Sequence, residues 1–267
     1  MARLAGRFLS ILFFLTALSA LIFTFWLRDH YVVPILTYHF ISDHKGSVQA
    51  QGKECLNNVT PKSFAQQMKF LKRHGYQVIS FDDLVDGLSR GRVFARDTVV
   101  IQFDDGYEDN YTNAFPVLKK HGFKANEFLI SDKVNTPGFL TWEQVKEMDA
   151  HGVKAGAHTR NHVYLPDMSW SAAQDEIAGS KKIIEEHLEH PIDYFAYPSG
   201  GFTEESQSIV QGAGFKAAVT TNRGRDYFNR DLFAIRRIRM KDKDNALIMW
   251  AKLSGYYNLF RKSKDGY

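Results

Sequence analysis

The sequence predicts an α/β fold built on parallel strands, and three features predict it. Short apolar runs alternate with helix-period segments over residues 33–221, a regularity that calls for parallel strands joined by crossover helices. Three polar clusters, FDDG at 103–106, HTRNH at 158–162 and YPSG at 197–200, follow the ends of predicted strands. The chain's 267 residues, 44% apolar and 24% charged, suffice for one domain with its own core and exclude a disordered chain. Polar residues at strand C-termini suit a β/α barrel, and also an open doubly wound sheet with its site at a switch point. The convergence of several strand ends on one site favours the barrel.

The elements follow in order. VPILTYHFI (33–41) reads as a buried strand. TPKSFAQQMKFLKRHGY (60–76) reads as a helix: Thr60 is placed as N-cap, Pro61 at the first position, Phe64, Met68 and Leu71 on one face, and Gly75 at the end. QVISF (77–81) is a short strand and FDDLVDGLSR (81–90) a short helix. DTVVIQFDDG (97–106) is a strongly apolar strand ending in acids, NAFPVLKKHGF (113–123) a helix closed by Gly122, and KANEFLI (124–130) the next strand. TWEQVKEMDAHG (141–152) is a helix capped by Thr141, VKAGAHT (153–159) a strand, and SAAQDEIAGSKKIIEEHLEH (171–190) a long helix. IDYFAYPSG (192–200), TEESQSIVQGAGF (203–215) and KAAVTT (216–221) complete the alternation as strand, helix and strand. NALIMWAKLSGYYNLF (245–260) is an aromatic-rich helix candidate, either covering a flank of the barrel or lying at a membrane interface.

Residues 8–27, FLSILFFLTALSALIFTFWL, carry no charge and follow Arg3 and Arg7. About 20 such residues span a bilayer core, and basic residues ahead of the run favour a cytoplasmic N-terminus. The expectation is one N-terminal transmembrane helix acting as an uncleaved signal-anchor. Cleavage as a signal peptide near ALS at 17–19 is the rival. Either way the rest of the chain is exported: to the cell membrane as a single-pass protein with an extracytoplasmic domain, or secreted. The net charge of +4 is mild, and the basic run RRIRMKDK (236–243) suits an anionic surface. No nucleic-acid-binding pattern accompanies it, so nucleic acid is not expected as a partner. The single cysteine, Cys55, excludes an intramolecular disulfide and a cysteine-rich metal site.

Asp104 and Asp105 stand side by side where a buried strand ends. Neighbouring strand residues point to opposite faces, but before Gly106 the strand frays and both can reach one pocket. A solvated turn is the bland alternative; the apolar VVIQF run just ahead argues against it. His158 and His162 are spaced i,i+4, so on one helical turn both rings could grip one metal ion, and two histidines with a carboxylate leave positions open for water and substrate. The PSG turn could present a backbone amide to an oxyanion, or simply end a strand.

Together FDDG, HTRNH and YPSG, in this order, resemble the polysaccharide deacetylase family, the NodB homology domain of carbohydrate esterase family 4, over roughly residues 33–240. The resemblance implies a distorted (β/α)7-type barrel and metal-dependent removal of acetyl groups from an N-acetylated, or O-acetylated, polysaccharide. It implies Asp104 as general base, Asp105, His158 and His162 as metal ligands, and Tyr197, Pro198 and Ser199 as the substrate-binding turn. The implied cofactor is a divalent metal, Zn²⁺ first, with Co²⁺, Ni²⁺ and Fe²⁺ also suited to the donors.

Two departures stand out. Where many members carry a base-orienting arginine in the third motif, this chain has Ala196, and no histidine follows His190. The LTYHFIS and FAYPSG forms resemble the branch that deacetylates exopolysaccharides such as poly-β-1,6-N-acetylglucosamine, which implies His39 as the general acid. Arg237, in FAIRRIRM on a late strand-like segment, is the candidate substitute partner for Asp104. The chain thus divides into a membrane segment, 1–30, and a catalytic domain, 31–267. Rival functions are a non-catalytic carbohydrate-binding or assembly protein on the same barrel, and a deacetylase of a lipid-linked sugar or of peptidoglycan.

Overall fold

The structure is a computed structural model and describes residues 2–43, 57–221 and 226–260; Cys55 lies outside them. Its centre is one sheet of parallel strands, β1 (Ile35–Tyr38), β4 (Gln77–Val78), β5 (Thr98–Asp105), β6 (Ala125–Leu129), β7 (Val153–Ala157), β8 (Tyr194–Ala196), β9 (Ala217–Thr220), β10 (Ile235–Arg236) and β11 (Ile238–Arg239). Strands β2 (Phe40–Ile41) and β3 (Asn58–Val59) pair separately. The order is β10-β9-β8-β7-β6-β5-β1-β11, with β4 beside the start of β5. The two ends of this order, β10 and β11, are separated in the chain by Arg237 alone. The sheet therefore closes on itself. Six strands and one broken stave, 235–239, make a seven-stave parallel barrel, and the open doubly wound alternative is excluded.

Side-chain parity divides the core. Ile35, Val100, Phe128, Ala196, Val219 and Ile235 form the inner cluster, while Leu36, Ile101, Phe103, Leu129, Ala157, Phe195 and Ile238 pack outward under the helices. Strand β5 is buried along its whole length, which is why it reads as a continuous apolar run.

The covering helices are α2 (Pro61–Arg73), α3 (Phe81–Ser89), α4 (Phe115–His121), α5 (Trp142–Ala150), α6 (Trp170–Leu188), α7 (Glu204–Gly212) and α8 (Ala246–Lys252). Their starts are written in the sequence. Thr60 accepts from the Ser63 amide, and Ser80 with Asp83, Thr141 with Gln144 and Thr203 with Ser206 form reciprocal caps. Gly122 closes α4 in the left-handed conformation.

Three expectations need correction. The strand expected over 33–41 breaks after Tyr38, with Phe40 and Ile41 turning away to pair with β3. The helix expected over 245–260 stops at Lys252: Gly255 has φ +81°, and a Cβ there would lie 2.1 Å from the Tyr31 ring, so the chain must turn. The N-terminal helix α1 (Ala2–Asp29) forms, but its side chains are described only over 11–26, and among the described residues no helix is long and apolar enough to cross a membrane. Within that stretch Ile11, Phe13, Phe14, Ile22, Phe23 and Phe25 are exposed.

Candidate active site

The polar residues gather at the C-terminal mouth of the barrel. Asp104 is the last inward-facing residue of β5, on the side of Val100 and Gln102. Arg237, in the break between β10 and β11, has the same inward parity, one residue on from outward-facing Arg236. Its guanidinium grips Asp104 as a fork, Nη1 to Oδ1 at 2.6 Å and Nη2 to Oδ2 at 2.7 Å. Nε donates to the Thr220 carbonyl at 3.2 Å, and the group lies 5.5 Å from the centre of the Phe128 ring. Both side chains are buried, 1% and 3% exposed, so the pair is shielded from water. Burial raises the Asp104 carboxyl, but Arg237, His158 and His39 outweigh it and hold the group below the usual carboxylate range.

Asp105 has the opposite parity and by strand geometry alone would point outward. Its backbone takes φ +79°, as does that of Gly106, so the chain leaves the strand at this residue. A left-handed backbone at a non-glycine residue costs roughly 1–3 kcal/mol and marks sites where function fixes the geometry. The Asp105 carboxylate thereby faces two imidazoles, with Oδ1 3.4 Å from Nε2 of both His158 and His162.

The two histidines are not on a helical turn, as their spacing suggested. They flank a loop in which Thr159 and His162 both have positive φ, 62° and 59°. The loop is tied down from outside: the amides of Arg160 and Asn161 donate to Glu176 Oε2 on α6, each at 2.9 Å, and Asn161 Nδ2 donates to Oε1. His158 Nδ1 donates to the Ala196 carbonyl at 2.6 Å, which in the neutral ring leaves Nε2 with its lone pair toward Asp105.

The donor atoms of Asp105, His158 and His162 lie within 4.8 Å of one another. Asp105 Oδ1 is buried with no hydrogen-bond partner among the described residues. A carboxylate oxygen facing two imidazole nitrogens, one of them a lone-pair donor in the neutral ring, fits a divalent cation; these three residues could hold one.

His39 follows β1 directly. It is buried, its Nε2 is 3.9 Å from Asp104 Oδ2, and its Nδ1 is buried without a hydrogen-bond partner among the described residues. Burial lowers its pKa; Asp105 and Asp104 pull the other way, and Arg239 and Arg237 add to the lowering.

The third motif is only partly at the mouth. Tyr197 has outward parity, and its ring is buried against Phe195 and Phe202, so the expectation that it contacts substrate is corrected to a packing role. Pro198 is buried. Ser199, at φ 53° in the 198–200 turn, is the exposed member.

The comparisons with known proteins agree with this geometry. The family model described as Polysaccharide deacetylase matches residues 92–218. The Bacillus subtilis protein YxkH, named as a candidate polysaccharide deacetylase, is 34% identical over 208 residues, 78% of this chain and 71% of that protein. The chain belongs to the polysaccharide deacetylase family. A second family relative, the poly-β-1,6-N-acetyl-D-glucosamine N-deacetylase of Staphylococcus epidermidis, is 28% identical over 193 residues, 65% of each chain. Among solved structures, the Streptococcus pyogenes deacetylase PplD, in complex with acetate, superposes with a TM-score of 0.75 at 31% identity, covering 83% of this chain and 97% of that one.

Two acids around the family's motifs were missed in the sequence. Glu176 lies mid-helix in α6, where it reads as an ordinary surface acid; only the fold brings it under the histidine loop. Glu127 lies at the centre of β6, is 2% exposed and accepts from the Gly106 amide at 3.1 Å. A lone acid inside the apolar run KANEFLI was the available signal. Burial raises the Glu127 carboxyl well above the usual range, Asn110 opposes this, and Asp104 and Asp105 add to it.

Proposed function

We propose that the protein is a metal-dependent hydrolase that removes acetyl groups from an N-acetylated polysaccharide outside the cytoplasmic membrane. The observation that carries the reading is the juxtaposition, at one barrel mouth, of the forked Asp104 carboxylate, the Asp105–His158–His162 donor set and His39.

In this reading Asp104 is the general base and takes a proton from water as its oxygen attacks the acetyl carbonyl carbon. The Arg237 fork keeps that carboxylate ionised and aimed. Asp105, His158 and His162 hold the metal, with zinc the best match to two imidazoles and one carboxylate. When bound, such a cation supplies Lewis acidity, lowering the pKa of water and polarising the carbonyl. His39 delivers a proton to the departing nitrogen, so that the C–N bond breaks to acetate and a free amine. The backbone at Ser199 meets the carbonyl oxygen as negative charge develops on it.

The substrate class follows the relative named as a poly-β-1,6-N-acetyl-D-glucosamine N-deacetylase and the family resemblance. Export is favoured by the uncharged run at residues 8–27, which follows Arg3 and Arg7.

The test is acetate release by the full chain from poly-N-acetylglucosamine, chitin oligomers, peptidoglycan and acetylated xylan, each with and without chelator. Release from poly-N-acetylglucosamine that chelator abolishes and zinc restores is expected. Release unaffected by chelator would overturn the metal reading, and no release from any glycan would overturn the activity. Protease accessibility of the domain in intact cells tests export; full protection would overturn it.

A further inference from the structure

The parity of β5 presents a problem that Asp105 alone does not solve. Its odd-numbered neighbours Ile101 and Phe103 pack outward under the helices, and a regular strand would send the Asp105 carboxylate the same way, away from the histidines. Facing His158 and His162 depends on the two successive positive φ angles at Asp105 and Gly106. Something must hold that turn, because the ladder cannot: in the register with β6, Asp105 opposite Leu129 is the last pair.

We infer that Glu127 is the positioning residue that holds the Asp105–Gly106 turn and thereby sets the aim of the Asp105 carboxylate. Glu127 lies opposite Phe103 on the outward face of β6. Its Oε1 accepts from the Gly106 amide at 3.1 Å and from Asn110 Nδ2 at 3.2 Å. Asn110 is buried and opens the wide helical turn Asn110–Ala114 that precedes α4. One oxygen thus ties three pieces together: the strand β6, the amide just after Asp105, and the start of the next helical segment. Glu127 Oε2 is buried with no hydrogen-bond partner among the described residues, so the side chain is committed to the turn through one oxygen. A carboxyl on a buried strand is costly to bury, and the bonds that offset the cost go to the Gly106 amide and to Asn110.

The inference rests on the reading of Asp105, His158 and His162 as a cation site. The test compares E127Q, which keeps a carbonyl oxygen for both donors, with E127L, which removes it at similar volume. Zinc binding to the full chain is measured calorimetrically without substrate, and kcat and KM are measured separately on poly-N-acetylglucosamine. The expected result is zinc affinity within about threefold of wild type for E127Q and weakened at least about tenfold for E127L, one charge-assisted contact's worth. With E127L, kcat should fall while KM stays within about threefold, because the turn touches no glycan. Should E127L not fold, E127D carries the test, since it withdraws the oxygen by one methylene, and the same tenfold loss is expected. Wild-type zinc affinity in E127L or E127D would overturn the inference, as would E127Q failing as badly as E127L. A wild-type chain that binds no zinc would instead overturn the cation-site reading itself.

Discussion

Replacing Arg237 by lysine tests the base assignment most directly. The fork makes two charge-assisted bonds to Asp104, at 2.6 and 2.7 Å, with both groups buried. Lysine keeps the charge but cannot reproduce the planar pair of donors. Hydrogen bonds to charged groups contribute about 1.5–3 kcal/mol each, so losing one that also aims the base should lower kcat/KM roughly 10- to 150-fold. R237M goes further and strips the cation. At an effective dielectric of about 20, unit charges about 4 Å apart interact by about 4 kcal/mol, and breaking a buried pair on one side typically costs about 3–5 kcal/mol of stability.

The pH dependence has a definite sign. Asp104 is held below its unfolded range, so the pair's stabilisation is present above that range and lost as pH falls through the folded value. The stability gap between wild type and R237M should therefore be widest near neutrality and close in strong acid. The acid limb of the R237M activity profile should move to higher pH. The assays are acetate release against pH and denaturant unfolding at several pH values, with bound metal measured in each variant. R237K retaining wild-type kcat/KM and an unchanged acid limb would refute the claim that this fork orients the base.

Other consequences can be checked alongside. H39Q should leave zinc content intact and cut turnover about 10²- to 10⁴-fold on an N-acetyl substrate, with a much smaller loss on an activated acetyl ester whose leaving group needs no proton; equal losses on both would sink the acid assignment. D105N and H158A should each lose zinc in equilibrium dialysis, and acetate release with it. Asp109 is raised to about 6, by burial first, against a hydrogen bond from the Ile41 amide. A raised acid contributes stability below its unfolded pKa and loses it as pH rises through the folded one, so D109N should be more stable than wild type at pH 8, by up to about 3 kcal/mol, with the gap closing in acid; chemical denaturation at both pH values decides it.

What was legible in the sequence is what short-range physics determines. Helix starts were visible because Thr60, Thr141 and Thr203 cap their own helices through bonds spanning three residues. Strand β5 was visible because burial on both faces leaves an unbroken apolar run. The geometry of the histidine pair was not, because the i,i+4 spacing fits a helix equally well and the loop depends on Glu176, which lies well downstream on another element. The same holds for Tyr197, whose outward direction follows from the strand parity set by β8. Arg237 could be suggested from its alternation in FAIRRIRM, but its partner lies 133 residues away and is reached only when the barrel closes.

That closure explains why two adjacent aspartates, chemically identical in the unfolded chain, acquire different work. Inward parity sends Asp104 to the one residue at which the sheet's two ends join, so the guanidinium that completes the barrel's break also neutralises this carboxylate. The left-handed step turns Asp105 toward the imidazoles of His158 and His162, and among the described residues no guanidinium pairs with it. Burial raises the Glu127 carboxyl well above the usual carboxylate range, and of the two aspartates only Asp104 is forked by a guanidinium, which leaves the Asp105 carboxylate as the negative charge in excess. A buried excess charge is not tolerated without a counter-charge, and it sits on Asp105, whose Oδ1 is buried without a hydrogen-bond partner among the described residues. A monovalent cation would only restore neutrality, whereas a divalent one would leave a net positive charge at the mouth. That positive excess would complement the oxygen on which negative charge grows during amide hydrolysis, and it would arise only because one of the two carboxylates is already paired to Arg237.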